Sequence, residues 1–196
     1  MKKGLLIALG VVVCLLVLGL MFIGWFIAIG NNLVALQENV QSAWGQVETV
    51  LQRRYDLIPN LVATVKGYAK HEKELLEEVT RLRSQWGAAR TVEEKVKAAG
   101  QLEGTLSRLL LVAEQYPDLK ASQNFRDLQY ELAGTENRIS VERQRYNEAV
   151  RAYNTAVRQF PGSFVAAVRG FSIDRAYFEA APPAKEAPKV DFGGEQ

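Results

Sequence analysis

FRDLQYELAGTENRISVERQRYNEAVRAYNTAVRQF, residues 125–160, decides the fold. Phe125, Leu132, Ile139, Tyr146, Tyr153 and Phe160 recur every seven residues, and Leu128, Ala149 and Ala156 fill three of the intervening slots. An apolar repeat of this period, sustained over so many turns, keeps one stripe of a helix against a partner; a strand alternates every second residue and cannot reproduce it. Thr135 and Glu142 take the other two intervening slots and loosen the middle of the seam. Pro161-Gly162 closes the helix, because proline lacks the amide the next turn needs.

Upstream, Thr91-Val-Glu-Glu94 has the spacing of a capping box, in which the hydroxyl and the Glu94 carboxylate satisfy two orphan amides. The helix it starts carries Val92, Val96, Leu102, Leu106, Leu109 and Leu110 and ends at Tyr116-Pro117-Asp118. Gly87 ends the segment before it. From Leu33 to Trp86 apolar residues fall at 33, 36, 40, 44, 47, 51, 58, 61, 65, 68, 75, 79, 82 and 86, in steps of three and four broken mainly at 54 and 72. Pro59 interrupts this face. It removes the amide that would bond to Tyr55 and disfavours the helical region at Ile58, so the ladder kinks or restarts there. The continued phase and the absence of glycine at 55–60 favour a kink.

Short connections at 87–90 and 117–121 join these helices, so neighbours should pack antiparallel. The expected fold is all-α: an antiparallel up-and-down bundle of three long helices, four if the first breaks at Pro59, behind an N-terminal transmembrane helix. Oppositely charged pairs one turn apart, such as Glu77/Arg81 and Glu93/Lys97, mark the solvated outer face.

Leu5 to Ile29 contains no charged residue and would extend about 38 Å as a helix, enough to cross a hydrocarbon core of roughly 30 Å. Lys2 and Lys3 precede it, and Arg53 is the first basic residue after it, which keeps the N-terminus cytoplasmic. The expected layout is a cytoplasmic N-terminus at 1–4, an anchor at 5–30, a helical bundle at 31–179 and a flexible tail at 180–196. Ala28-Ile29-Gly30 is a small-x-small triplet of the kind a signal peptidase cuts. A signal-peptide core runs only about 7–15 residues, so an uncleaved anchor is expected. Val precedes Cys14 where a lipidation site wants a small residue, which argues against lipidation.

The formal charge of +2 comes from Lys2 and Lys3; the remainder carries 22 basic and 22 acidic side chains. That balance leaves no basic footprint for nucleic acid. Cys14 is the sole cysteine and His71 the sole histidine, which rules out an intrachain disulfide and a multi-histidine metal site. His71-Glu72-Lys-Glu-Leu75 starts like a zinc-protease helix, but Leu75 stands where the second histidine belongs. No catalytic residue, metal site or cofactor is expected. Arg53, Arg54, Asp56, Pro59 and Asn60 flank the bend and form a candidate partner-binding notch. Val190, Asp191 and Phe192 in the Pro- and Ala-rich tail form a candidate docking peptide.

RRYDLIPNLVATVKGYAKHEKELLEEV, AEQYPDLKASQNFRDLQYELAGTENRI, RYNEAVRAYNTAVRQFPGSF and the terminal YFEA and APKVDF resemble, in order, the characteristic blocks of the LemA family. The resemblance covers nearly everything after residue 30. It implies a bacterial membrane-anchored bundle of antiparallel helices without an established enzymatic activity, sometimes found beside membrane-bound metalloproteases. The expected function is therefore a non-catalytic scaffold or adaptor of the cell envelope, in the inner membrane with its bundle outside, touching lipid and an envelope partner such as a membrane metalloprotease. Two alternatives stand beside it. One is a homo-oligomer that organises membrane through the heptads or the small-residue spacings Gly4/Ala8, Gly10/Cys14 and Gly24/Ala28; the other is a hydrolase.

Overall fold

The structure is a computed structural model that describes residues 2–69, 71–172 and 177–178, and of residues 2–5, 7 and 8 the backbone alone. Its helices are α1 (Lys2–Asp56), α2 (Ile58–Tyr68), α3 (Lys73–Ala88), α4 (Val92–Ala113), α5 (Pro117–Ala121), α6 (Gln123–Arg158) and α7 (Gly162–Arg169). The described residues form no strand. The long α1 follows from a sequence with no proline before position 59 and a continuous apolar content up to Ile29.

Packing divides the chain into two compact units, Met1–Gln46 with Gln144–Arg175 and Val47–Arg143 with Ala176–Gln196; α1 and α6 contribute a segment to each.

In the first unit, the described side chains from Leu9 to Trp25 are exposed. Burial starts at Gly30 and Leu33 and continues through Val40 and Trp44; on α6, Tyr146, Val150, Tyr153 and Val157 are buried as well. Trp44 meets Tyr146 edge to face at 5.6 Å, while Leu33 lies 3.8 Å from the space a side chain on Gly162 would fill, so α1 and α6 run antiparallel here. The heptad residues Phe125, Leu132, Ile139, Tyr146 and Tyr153 are all buried within the chain. Phe160 is not, because α6 ends at Arg158 and the chain has turned by then. Pro161-Gly162 reads in the sequence only as a stop; the structure adds α7 after it, closed by Gly170 at φ 75° with the Phe171 amide on the Ala166 carbonyl at 3.0 Å.

In the second unit, α3 and α4 form a hairpin. Glu78, near the start of α3, pairs with Arg108, near the end of α4, at 3.6 Å. The capping box forms as expected: Thr91 Oγ1 accepts from the Glu94 amide at 3.1 Å, and Glu94 accepts from the amides of Thr91 (3.2 Å) and Arg90 (2.8 Å). The Arg90 amide first, then that of Thr91, holds the Glu94 carboxyl below its ordinary value. A depressed carboxyl stabilises the fold above its unfolded pKa and stops doing so as pH falls through the folded value. The first turn of α4 should therefore loosen below about pH 4, and Glu94→Gln should flatten that dependence in amide hydrogen exchange of Lys95.

Pro59 produces a kink. Leu57 keeps helical dihedrals (φ −77°, ψ −22°), its amide bonds to the Arg54 carbonyl at 3.2 Å, and Leu61 bonds back to Leu57 at 3.0 Å. A second interruption separates α2 from α3 after Ala69, where the apolar steps were already broken. Exposed His71 lies in that turn rather than on a helix.

Candidate functional site

The carbonyl freed by Pro59 has a specific partner. Arg83 of α3 donates Nε–H to the Tyr55 oxygen at 3.0 Å, replacing the amide that proline lacks. The Tyr55 ring meets Trp86 edge to face at 4.5 Å, and burial pushes its phenol well above the ordinary tyrosine value. Lys95 reaches over the Trp86 ring at 5.4 Å and pairs with Glu48. Arg83→Met keeps the aliphatic stem and removes the donor, which should cost about 1 kcal/mol in urea unfolding; an unchanged midpoint would show that the carbonyl is satisfied otherwise.

Behind the bend, buried Arg54 stands among partly exposed charges. Arg54 pairs with Glu136 of α6, and both terminal nitrogens of Arg143 bond to one oxygen of Glu103 in α4 at 3.0 Å. Phe178 covers the Arg143 guanidinium at 5.1 Å. Burial lowers the Arg54 pKa, and the Glu103 charge works against that shift. Buried Thr135 turns its hydroxyl to the Leu132 carbonyl at 2.8 Å, so this loose point in the heptad seam is satisfied locally.

The five residues proposed for the notch divide between faces. Arg54 points inward, whereas exposed Arg53 lines a cavity of about 110 Å³ with Glu131, Gly134, Thr135 and Arg138. Successive helical residues stand about 100° apart, which separates the two arginines. Asp56 is exposed and accepts from Gln52 at 2.7 Å. Pro59 and Asn60 are exposed on α2, with the Asn60 carbonyl taken by Thr64 at 2.8 Å. Val190, Asp191 and Phe192 lie outside the described residues.

A larger concavity sits between α2 and α3. This groove of about 670 Å³ has Val62, Ala69 and Leu76 as apolar lining, with Lys66, Lys73 and Arg81 beside the single acid Glu77. Glu77 stands 3.7 Å from Lys73. No sequence signal marked this site, because it is built between two helices, α2 and α3, that the sequence reads as one continuous face. Lys66 and Lys73 look like ordinary solvated charges until packing brings the two helices together. No cluster of three or more potential metal-ligating side chains occurs among the described residues.

The family comparison covers most of this architecture. A family model described as LemA family matches residues 43–192, a range that holds the kink, the Arg54–Glu136 and Arg143–Glu103 ion pairs and the groove. This chain belongs to the LemA family. The LemA match begins beyond the apolar stretch at 5–29, which lies in the one helix, among the described residues, long and apolar enough to cross a membrane.

Three relatives extend the comparison. Magnetosome protein MamQ 2 of Paramagnetospirillum magneticum (strain ATCC 700264 / AMB-1) is 26% identical over 186 residues, covering 82% of this chain and 68% of its own length. Magnetosome protein MamQ of Magnetospirillum gryphiswaldense is 24% identical over the same span and coverage. Protein LemA of Metamycoplasma hominis is 26% identical over 139 residues, covering 69% of this LemA-family chain and 64% of its own length.

Proposed function

We propose that this protein is a membrane-tethered, non-catalytic adaptor of the bacterial envelope, held in the inner membrane by Leu5–Ile29, and that its α2–α3 groove receives an acidic, apolar segment of an envelope protein. The groove carries the proposal: an apolar lining beside three cations and one acid suits an amphipathic segment of opposite charge. LemA-family membership, and similarity to proteins named for the magnetosome and for LemA rather than for a reaction, support a role without catalysis. The lysines at 2 and 3 support a cytoplasmic N-terminus with the helical body outside. A membrane metalloprotease is the partner class that the family resemblance brings forward.

A photo-crosslinking residue at Val62 in cells should give discrete protein adducts that vanish with Lys66→Glu and Arg81→Glu. Adducts identical to those from exposed Tyr130, or insensitive to charge reversal, would overturn the groove as a docking site. Orientation is read from Ser140→Cys in a Cys14→Ser background, which should react with a membrane-impermeant maleimide on intact spheroplasts. Self-assembly is the second reading. Burial of the α6 seam within the chain moves it to the span, where Gly10 and Gly24 have open space around them. A monomer mass in nanodiscs would remove it.

A further inference from the structure

The first unit exposes an apolar face beside the end of the apolar span. Phe164 and Val168 of α7, one turn apart, are 48% and 62% exposed, and Phe160 in the turn leading into α7 is 80% exposed. Val165 and Ala166 on its other side are buried, so α7 is already anchored to its own unit and these large side chains remain uncovered. Contiguous exposed aromatic and aliphatic groups on a folded body mark a surface that something covers.

The position of α7 identifies the cover. Phe164 meets Phe26 edge to face at 6.3 Å, and Phe26 belongs to the last turn and a half of the uncharged stretch Leu5–Ile29. Gly30, the next residue, is closed over by the Arg169 side chain. The guanidinium of Arg169 also lies 5.8 Å from the Phe171 ring. An apolar face touching the end of a membrane span, with basic side chains at its margins, has the chemistry of a helix lying in the plane of a bilayer surface.

We propose that α7 is an interfacial helix: Phe160, Phe164 and Val168 enter the boundary between headgroups and acyl chains, and Arg158 and Arg169 reach lipid phosphates. This rests on reading Leu5–Ile29 as a membrane span. The body then sits on the bilayer at two places, and Trp25 and Phe26 belong to the aromatic belt at the same depth.

The test uses the full chain, Cys14→Ser, in nanodiscs of phosphatidylethanolamine and phosphatidylglycerol. Nitroxides are placed singly at Phe164 and Val168, with Leu16 as a control within the span and exposed Gln144 as a control in water. Accessibility to oxygen relative to a water-soluble nickel chelate should place 164 and 168 between the two controls. Water-like values at both, with Leu16 immersed in lipid, would overturn the interfacial helix alone. Water-like values at Leu16 as well would overturn the span and this proposal with it. Dipolar broadening between copies at 164 would mean that a second chain covers the face, which also overturns it. A Phe160→Ser/Phe164→Ser/Val168→Ser variant with unchanged circular dichroism should retain the span and lose lipid contact at a label on Arg169.

Discussion

Replacing Glu136 with alanine is expected to lower the unfolding free energy by about 3 kcal/mol, whereas Arg54→Met should cost less than about 1 kcal/mol. The asymmetry follows from burial: the Arg54 side chain is 9% exposed and that of Glu136 is 39% exposed. Without Glu136, a guanidinium whose Nε already finds no protein acceptor stays charged in the interior. Glu103, a carboxylate whose charge also acts on Arg54, is engaged by Arg143. Without Arg54, Glu136 can hydrate and the methionine fills the volume of the arginine stem. Urea unfolding of both single variants and of the double variant measures this directly. The double variant should recover most of the Glu136→Ala loss, because the stranded cation is gone; equal losses in the two singles would refute the burial argument.

Gly162→Ala should cost about 2 kcal/mol, an effect opposite in sign to that expected of Gly134→Ala. A β-carbon at 162 would run into the backbone carbonyl of Ala156, which cannot swing aside as a flexible side chain can, and would touch Leu33 at 3.8 Å. Either the end of α6 or the start of α7 must shift. Gly134, inside α6, has open space around it, so Gly134→Ala should stabilise by about 0.5–1 kcal/mol through helix propensity. Thermal unfolding of the two variants side by side provides the measurement. A neutral Gly162→Ala would show that the close approach of α7 to α6 is not required.

The helical class and the heptad seam were legible because they depend on spacing within single elements. The five buried heptad residues and the Thr91–Glu94 cap required nothing from distant sequence. Arg54 was legible only in part. Positions 47, 51, 54 and 58 step by four, three and four, so the arginine occupies the apolar stripe; that broken step was the signal for an inward charge. Its partner Glu136 is 82 positions away, and no local pattern announces it. Arg83 is hidden in the same way, since only the packing of α3 brings it to the carbonyl that Pro59 leaves free. The groove and α7 depend on a turn and on a short helix whose eight residues are too few to show a period clearly.

The uninterrupted course of α1 through the first unit has a mechanical side. No proline divides its apolar stretch from its packed stretch, and Gly30, where bending would be easiest, is covered by Arg169. A bilayer that thins or thickens tilts the helices embedded in it. A rod with no joint cannot absorb that tilt locally, so it passes as torque to whatever grips the rod beyond the lipid. In this unit Trp44 meets Tyr146 and Phe26 meets Phe164 of α7, so on the proposed reading of Leu5–Ile29 as a membrane span the anchor is a lever on the folded part rather than a slack leash.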